Sequence, residues 1–237
     1  MKKKRILITG ATSGIGEATF KHAVKNGHTV FITGRNEKVL KKLADDNPGT
    51  FYLKADVTNS DDVKNLSMEV VKKIGGVDVL LNNAGIGIFD NLIDSELDDW
   101  HKMIDVNVKG VLNVLYYFLP YLIESNGQVI NLGSVASHHV FPESGVYCAT
   151  KHAVLAISES LRAELSKKIR VTTISPGSVN TPFIDQTKNS DILTKFKPSF
   201  ENGMTAEWVA SQIMSTIEVE DGMNISEIII RPFQIKK

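Results

Sequence analysis

Short apolar runs alternate with amphipathic segments along the whole chain. The runs have the length of buried strands, and the segments between them show helical periodicity. The strand candidates are residues 5–9, 29–33, 50–55, 77–82, 128–132, 170–174 and 227–230, and the helical patterns lie near 14–26, 36–46, 60–74, 96–124, 147–168 and 205–218. Strands separated by such helices form right-handed β-α-β units. The alternation predicts one α/β domain over residues 1–237, with a doubly wound parallel sheet of about seven strands and helices on both faces.

The composition argues against several classes of protein. Hydrophobic residues make up 42% of the chain, and 27 basic residues balance 27 acidic ones. Nucleic-acid binders usually carry a basic excess, so no nucleic-acid partner is expected. A net charge near zero permits self-association. The single cysteine, Cys148, excludes an internal disulfide and fits a reducing compartment; it is either a small buried filler or a reactive thiol.

The opening sequence MKKKRILITG begins like a signal peptide, with basic residues before an apolar run. That run ends at Thr9-Gly10, which is too early for a signal sequence or a membrane span. We therefore expect a buried first strand with a basic tail, a cytoplasmic protein and no membrane partner.

The stretch ILITGATSGIGEA leads from the first strand into the first helix. Gly10 permits a sharp exit from the strand, and Gly14 and Gly16 let a ligand approach the backbone closely. The free amides and the dipole of the helix end attract a pyrophosphate. The spacing is G-x-x-x-G-x-G, in the strand-to-helix context of a Rossmann-type dinucleotide site. The predicted phosphate-binding residues are Gly10, Thr12, Ser13, Gly14, Ile15 and Gly16.

The second strand ends in Gly34-Arg35. Cofactors with a free ribose 2′-hydroxyl meet an Asp or Glu at this strand end. A guanidinium instead suits a 2′-phosphate, and Gly34 leaves no carboxylate to repel it. We therefore predict NADP(H) rather than NAD(H); the alternative is that Arg35 is an ordinary surface arginine.

Residues 181–204 interrupt the alternation of strands and helices. The segment carries Pro182, Pro198 and three phenylalanines without a clear period. It follows the sixth strand, and ligands of open α/β sheets bind beyond the carboxyl ends of strands. The segment is either a lid over the substrate or a partly ordered surface loop.

Together these features resemble the short-chain dehydrogenase/reductase family in its compact form, over nearly the whole chain. The motifs are Thr9-Gly10-x-x-x-Gly14-Ile15-Gly16, Asp56-Val57, Asn-Asn-Ala-Gly at 82–85, Asn107, Ser134, Tyr147-x-x-x-Lys151, and Pro176-Gly177 with Thr181. The resemblance implies a homo-oligomer, a tetramer or dimer, with the helices near 96–124 and 147–168 at the subunit contact.

The resemblance also assigns cofactor contacts. Asp56 and Val57 would border the adenine, and the backbone of Asn83, Ala84 and Gly85 would run along the cofactor. Pro176 and Gly177 would flank the nicotinamide, with Val179 and Thr181 near its carboxamide.

Tyr147 and Lys151 lie four positions apart in a helical pattern, so their side chains share one face. Alone, such a pair is ordinary on a solvated helix. A phenol with a pKa of about 10 needs roughly 4 kcal/mol of phenolate stabilisation to titrate near neutrality. An ammonium about 4 Å away supplies about that much at an effective dielectric near 20. We therefore expect Lys151 to lower the pKa of Tyr147, which then acts as acid and base.

Other polar residues complete the predicted chemistry. A hydroxyl at Ser134 can donate to the substrate oxygen beside the phenol. By the resemblance, the backbone at Asn107 bends and holds a water that links Lys151 to solvent, and Lys151 also grips the nicotinamide ribose. His138 and His139 lack further ligands at metal spacing, so no metal is expected and both are taken as loop residues near the pocket. Apolar candidates for the pocket wall are Phe141, Phe183 and Phe196.

The leading prediction is an NADP(H)-dependent oxidoreductase that acts on the CH–OH group of a small alcohol or hydroxy acid, or on the corresponding carbonyl. One alternative is a reductase of 3-oxoacyl groups on a carrier protein. Those enzymes commonly end in a Gly-Gly segment, whereas this chain ends NISEIIIRPFQIKK, closer to 3-hydroxy-acid and serine dehydrogenases. A second alternative is a catalytically silent NADP(H)-binding regulatory protein.

Replacing Arg35 with Asp should reduce the preference for NADP(H) over NAD(H) by about ten- to a hundredfold, because a hydrogen bond to a charged group contributes roughly 1.5–3 kcal/mol. Affinities of both cofactors for the wild type and for Arg35→Asp measure this. An unchanged preference would contradict the role of Arg35.

Overall fold

The sheet contains seven parallel strands in the order β3-β2-β1-β4-β5-β6-β9. The structure, a computed structural model, describes residues 2–220 and 222–233. The strands of this sheet are β1 (Arg5–Thr9), β2 (Thr29–Gly34), β3 (Phe51–Lys54), β4 (Val79–Asn82), β5 (Gln128–Leu132), β6 (Arg170–Pro176) and β9 (Glu227–Ile230). A separate short pair joins β7 (Val179–Asn180) to β8 (Met204–Thr205).

Helices cover both faces of the sheet. The α-helices are α1 (Gly14–Lys25), α2 (Glu37–Asp45), α3 (Ser60–Ile74), α4 (Leu97–Ile104), α5 (Gly110–Glu124), α6 (Gly145–Leu165), α7 (Ser190–Glu201) and α8 (Ala206–Ile217). A π-helix (Asp105–Lys109) joins α4 to α5, and 3₁₀ turns occupy Val135–Ser137 and Pro182–Gln186. This is the predicted single-domain Rossmann-type fold.

Successive strand residues point to opposite faces and fill two cores. Ile6 and Ile8 of β1 belong to the core under α1, α2 and α8, whereas Leu7 belongs to the core under α3, α5 and α6. All three are fully buried. Because neither face of the sheet meets water, the strands read as continuous apolar runs rather than as alternating ones.

The positions of all seven predicted strands are confirmed, with shifts of one or two residues at some ends. The single helical pattern predicted over 96–124 is wrong in one respect, because the π-helix Asp105–Lys109 interrupts it. Residues 181–204 are also more regular than predicted: they contain α7 and a 3₁₀ turn. Four residues of the closing sequence used above, 234–237, lie outside the described residues.

Among the described residues, one helical stretch of 28 residues, Leu97–Glu124, is long and apolar enough to span a membrane, with a mean hydropathy of 1.2 over an 18-residue window. It comprises α4, the π-helix and α5. The side chains of Val114, Phe118 and Leu122 on α5 are buried in the core under this face of the sheet. Core packing of α5 therefore accounts for much of its apolar character.

The direction of the connections reverses between β1 and β4. From β1 the chain builds outward through β2 and β3, and after β4 it builds the other way through β5, β6 and β9. At such a reversal the loops beyond the strand ends separate and leave a crevice for a ligand. The topology therefore predicts a ligand site between the loops that follow β1 and β4.

Leu66 and Met68 on α3 offer a matched test of the second core. Leu66 is fully buried and Met68 is 53% exposed. Leu66→Ala should lower the free energy of unfolding by about 2–5 kcal/mol, because it leaves a cavity. Met68→Ala should change it by less than about 0.5 kcal/mol. Chemical denaturation measures both variants, and equal losses would contradict this packing.

Candidate active site

A cavity of about 530 Å³ opens at the carboxyl edge of the sheet. Loops after β1, β2, β3, β4, β5 and β6 contribute to its walls. Eighteen of the twenty predicted site residues line it: Gly10, Thr12, Ser13, Gly14, Ile15, Arg35, Asp56, Val57, Asn83, Ala84, Gly85, Ser134, Tyr147, Lys151, Pro176, Gly177, Val179 and Thr181. Gly16 and Asn107 do not. The fold thus brings together residues spread over most of the chain.

The glycine-rich loop forms a cradle that side chains would fill. Gly10 and Gly14 adopt positive φ angles of 65° and 55°, a conformation that favours glycine. The hydroxyl of Ser13, the N-cap of α1, makes no capping bond, so it leaves the first amides of the helix open to a ligand. This cradle fits a dinucleotide pyrophosphate.

Gly16, predicted to bind the pyrophosphate, is not among the residues that line the cavity. A Cβ there would lie 2.4 Å from both Asn83 Nδ2 and Gly10 O. The Asn83 amide in turn donates to Thr9 O at 3.0 Å and to Gly10 O at 2.9 Å. Gly16 therefore allows α1 to pack against the loop after β4, behind the cavity.

The far end of the cavity carries Arg35, which is exposed and follows β2. A Cβ on its neighbour Gly34 would meet Thr12 Cγ2 at 3.1 Å, so a side chain there would crowd the glycine-rich loop. Among the described cavity residues, Asp56 carries the one carboxylate, and it accepts hydrogen bonds from the backbone and hydroxyl of Thr58. The guanidinium is thus available to an anionic ligand.

Ser134, Tyr147 and Lys151 meet beyond β5. Ser134 caps the short 3₁₀ turn, because its hydroxyl accepts from Ala136 N at 3.1 Å. Lys151 Nζ donates to Leu132 O at 2.7 Å and lies 5.9 Å from the centre of the Tyr147 ring. Tyr147 is 8% exposed and Lys151 is 5% exposed, so both functional groups are largely removed from water.

Burial dominates the ionisation of this pair. It raises the pKa of the Tyr147 phenol to about 12, and a hydrogen bond with Ser134 offsets this rise only in part. Burial also lowers the pKa of the Lys151 ammonium to about 8. The direction of the Tyr147 pKa shift is opposite to the predicted one, because desolvation of the phenolate is its largest cause.

Asn107 lies in the π-helix, and its side chain is buried outside the cavity. Its amide donates to Ile86 O at 2.8 Å and to Thr150 Oγ1 at 3.0 Å, while its oxygen accepts from Ile86 N at 2.8 Å. The side chain thus fastens the loop after β4 to α6, next to the turn that carries Lys151. The backbone irregularity expected at this position is present as the π-helix.

Aromatic side chains form the wall above Tyr147. The structure places the expected Phe141, Phe183 and Phe196 there, together with Phe89 and Phe200. Phe89 and Phe200 were not predicted to line the pocket, although Phe200 follows Phe196 by one helical turn. The two histidines expected near the pocket are not among its lining residues; His138 instead pairs with Glu227 Oε1 at 2.8 Å.

The remaining sequence predictions concern the single cysteine and a metal site. Cys148 is fully buried, as expected of a filler. Within the described ranges, 2–220 and 222–233, there is no group of three His, Cys, Asp or Glu side chains that could hold a metal ion.

The chain matches known proteins along most of its length. The profile of the short chain dehydrogenase family matches residues 4–191. An uncharacterized oxidoreductase from Staphylococcus saprophyticus is 39% identical over 240 residues, which cover 98% of this chain and 97% of that protein.

Solved structures share the fold. An alcohol dehydrogenase from the archaeon Thermococcus sibiricus, complexed with 5-hydroxy-NADP, is 27% identical with a TM-score of 0.89, and the match covers 100% of both chains. The serine dehydrogenase of Escherichia coli is 29% identical with a TM-score of 0.84, over 96% of this chain and 97% of that one. Similar structures have been solved with NADP-type and with NAD-type cofactors, so a nicotinamide cofactor is supported without a choice between them.

Burial of the Lys151 amine should make the free energy of unfolding depend on pH, and Lys151→Met should remove this dependence. Because the pKa of Lys151 is lowered from 10.5 to about 8 on folding, the unfolded chain holds the extra proton between these values. Stability therefore increases with pH across this window. The free energy of unfolding of the wild type should rise relative to Lys151→Met by about 3 kcal/mol from pH 8 to 10.5.

Urea titrations across this pH range measure the difference. Tyr147, whose pKa is raised on folding, lowers stability only above about pH 10, so the rise below pH 10 reports on Lys151. Lys64→Met removes an exposed lysine on α3 and serves as the control. A pH-independent difference between wild type and Lys151→Met would contradict the buried charge.

Proposed function

The chain belongs to the short chain dehydrogenase family, and from this premise we propose that it is an NADP(H)-dependent oxidoreductase. Its reaction interconverts a small carbonyl compound and the corresponding alcohol or hydroxy acid. The observation that carries the proposal is the meeting of Ser134, Tyr147 and Lys151 in the cavity that the glycine-rich loop also lines. A cofactor cradle and an acid–base group in one cavity are what hydride transfer to a carbonyl requires.

The choice of NADP(H) rests on Arg35. It lines the cavity at the end of β2, where the neighbouring Gly34 brings no carboxylate. A guanidinium at this place can pair with a 2′-phosphate. The Thermococcus sibiricus alcohol dehydrogenase, solved with an NADP derivative, is consistent with this choice.

Ser134 and Tyr147 have different roles at the substrate oxygen. When bound, NADPH supplies the hydride that adds to the carbonyl carbon. The Ser134 hydroxyl donates to the carbonyl oxygen and holds it beside the phenol. Because the pKa of Tyr147 is raised to about 12, the phenol keeps its proton at neutral pH and is ready to transfer it to that oxygen. The phenol is thus in the protonated form that reduction of the carbonyl requires.

Lys151 returns a proton to the Tyr147 phenolate after the phenol has protonated the substrate oxygen. Burial lowers its pKa to about 8, close enough to neutrality for the amine to exchange protons. Nζ lies 5.9 Å from the centre of the Tyr147 ring, and Asn107 fastens the loop opposite. We assign Lys151 a second role in holding the nicotinamide ribose, and Asn107 a positioning role beside the proton path.

Residues 181–204, here called the lid segment, cover the substrate end of the cavity in this proposal. Its polar contacts with the rest of the domain include Lys188 with Asp99 at 2.6 Å, Lys195 with Glu143 at 2.7 Å and, near its end, Ser199 with Ser178 at 2.8 Å. Opening the segment requires breaking such contacts along its middle and end, which suits a gate for substrate.

A homo-oligomer, a dimer or tetramer, is part of the proposal. Ile104, Leu112 and Tyr116 are 47%, 48% and 76% exposed along α4 and α5. Exposed apolar side chains on one long helical stretch fit a contact between subunits. Cytoplasmic residence stays a prediction from the sequence.

Tyr147→Phe should abolish NADPH oxidation with a panel of aldehydes, ketones and oxo acids, because no other group then protonates the substrate oxygen. NADPH binding, measured by calorimetry, should be nearly unchanged. Tyr116→Phe makes the same chemical change on the exposed face of α5 and should keep full activity.

Substantial turnover by Tyr147→Phe would contradict its role as proton donor. If the wild type binds NADPH tightly and reduces no member of the panel, the regulatory alternative is favoured instead.

A further inference from the structure

The substrate end of the cavity is built from aromatic rings. Phe89, which is 4% exposed, meets the Tyr147 ring edge-on at 5.5 Å between ring centres and stacks on Phe196 at 5.1 Å. Phe183 packs against Tyr147 at 5.6 Å and against Phe200 at 6.3 Å. A substrate whose oxygen reaches Tyr147 must therefore place its other groups among phenyl rings.

Two separate parts of the chain supply these rings. Phe89 comes from the loop after β4, whereas Phe183, Phe196 and Phe200 come from the lid segment. Phe196 and Phe200 are one helical turn apart on α7, so both face the cavity. Gly87 leaves room for the arrangement, since a Cβ there would lie 2.5 Å from Phe183.

Positive charge is scarce at this end. Among the cavity residues that the structure describes, the cationic side chains are Arg35 and Lys151. Arg35 follows β2, three strands from β5, which is roughly 14 Å at about 4.8 Å per strand. Lys151 Nζ is directed to Leu132 O at 2.7 Å.

The lysines of the lid segment are engaged elsewhere. Lys188, Lys195 and Lys197 pair with Asp99, Glu143 and Glu201 and do not line the cavity. A carboxylate on the substrate would lose its water without gaining a dedicated partner, and burying an unpaired carboxylate is costly.

The geometry points to an uncharged carbonyl compound with an aromatic or similarly bulky apolar substituent as the substrate, rather than an oxo acid or hydroxy acid. This inference rests on the proposed function and narrows it. Phe89, Phe183, Phe196 and Phe200 would determine specificity by packing on the apolar substituent.

A matched pair of substrates tests the inference. Methyl 4-acetylbenzoate and 4-acetylbenzoate share an aryl methyl ketone and differ in whether a remote carboxylate is present, so that the reactivity of the ketone itself is similar in both. The wild-type full chain should oxidise NADPH with the ester at a kcat/KM about a hundredfold higher than with the acid, or more. Equal values, or a preference for the acid, would overturn the inference.

Two variants and one control show which cavity residues cause the preference for the ester. Phe196→Ala should lower kcat/KM for the ester about tenfold and leave the Kd of NADPH unchanged, whereas Met68→Ala, which removes an exposed apolar side chain on α3, should change neither. Gln186→Arg places a cation on the cavity wall and should raise kcat/KM for the acid. If Phe196→Ala keeps full activity on the ester, the aromatic wall does not select the substrate.

Failure of the inference and failure of the proposed function give different results. If other carbonyl compounds support NADPH oxidation but the acid is preferred to the ester, the inference falls and the proposed function stands. If no carbonyl compound does so, both fall. Calorimetry with acetophenone and benzoate, added to the protein with NADP⁺, supplies a readout without turnover: tighter binding of acetophenone supports the inference, and tighter binding of benzoate overturns it.

Discussion

The side chain of Asn83 joins the two loops between which the cavity opens. Its amide donates to Thr9 O and Gly10 O, while Thr9 Oγ1 accepts from the backbone of Asn83 and Ala84 at 3.1 Å each. These bonds cross from β4 to β1, where the direction of the sheet reverses. Together with the pairing of β1 and β4, they hold the glycine-rich loop in position relative to the loop after β4, and so hold the cofactor cradle beside the rest of the cavity.

Exclusion of water from this site affects both the pKa of Tyr147 and the charge of the substrate that can bind. Burial of the Tyr147 phenol, to which the aromatic wall contributes, raises its pKa to about 12 and so keeps its proton in place. The same wall disfavours a charged substrate, because neither the phenolate nor a carboxylate finds enough stabilisation among phenyl rings. Acid strength and substrate selection are therefore linked through one structural cause, the packing of Phe89 and Phe183 against the Tyr147 ring.

Sequence alone predicts the sheet well and the site only in part. A strand buried on both faces, such as β1, leaves an apolar run that needs no tertiary information to detect. Helix α7 was not predicted, because Pro198 and the mostly exposed side chains of the helix obscure the periodicity of its apolar residues. The shift in the Tyr147 pKa could not be predicted from the sequence, since it depends on burial of the phenol by residues far away along the chain.

The π-helix Asp105–Lys109 sets the phase between α4 and α5. A π-turn holds about one residue more than an α-turn, and each residue of an α-helix advances the direction of the side chain by about 100°. Buried Met103 before it and buried Val111 after it face different neighbours, one beside the aromatic wall and the other in the core beneath the sheet. One additional residue thus lets one continuous helical stretch pack its side chains into two separate apolar clusters.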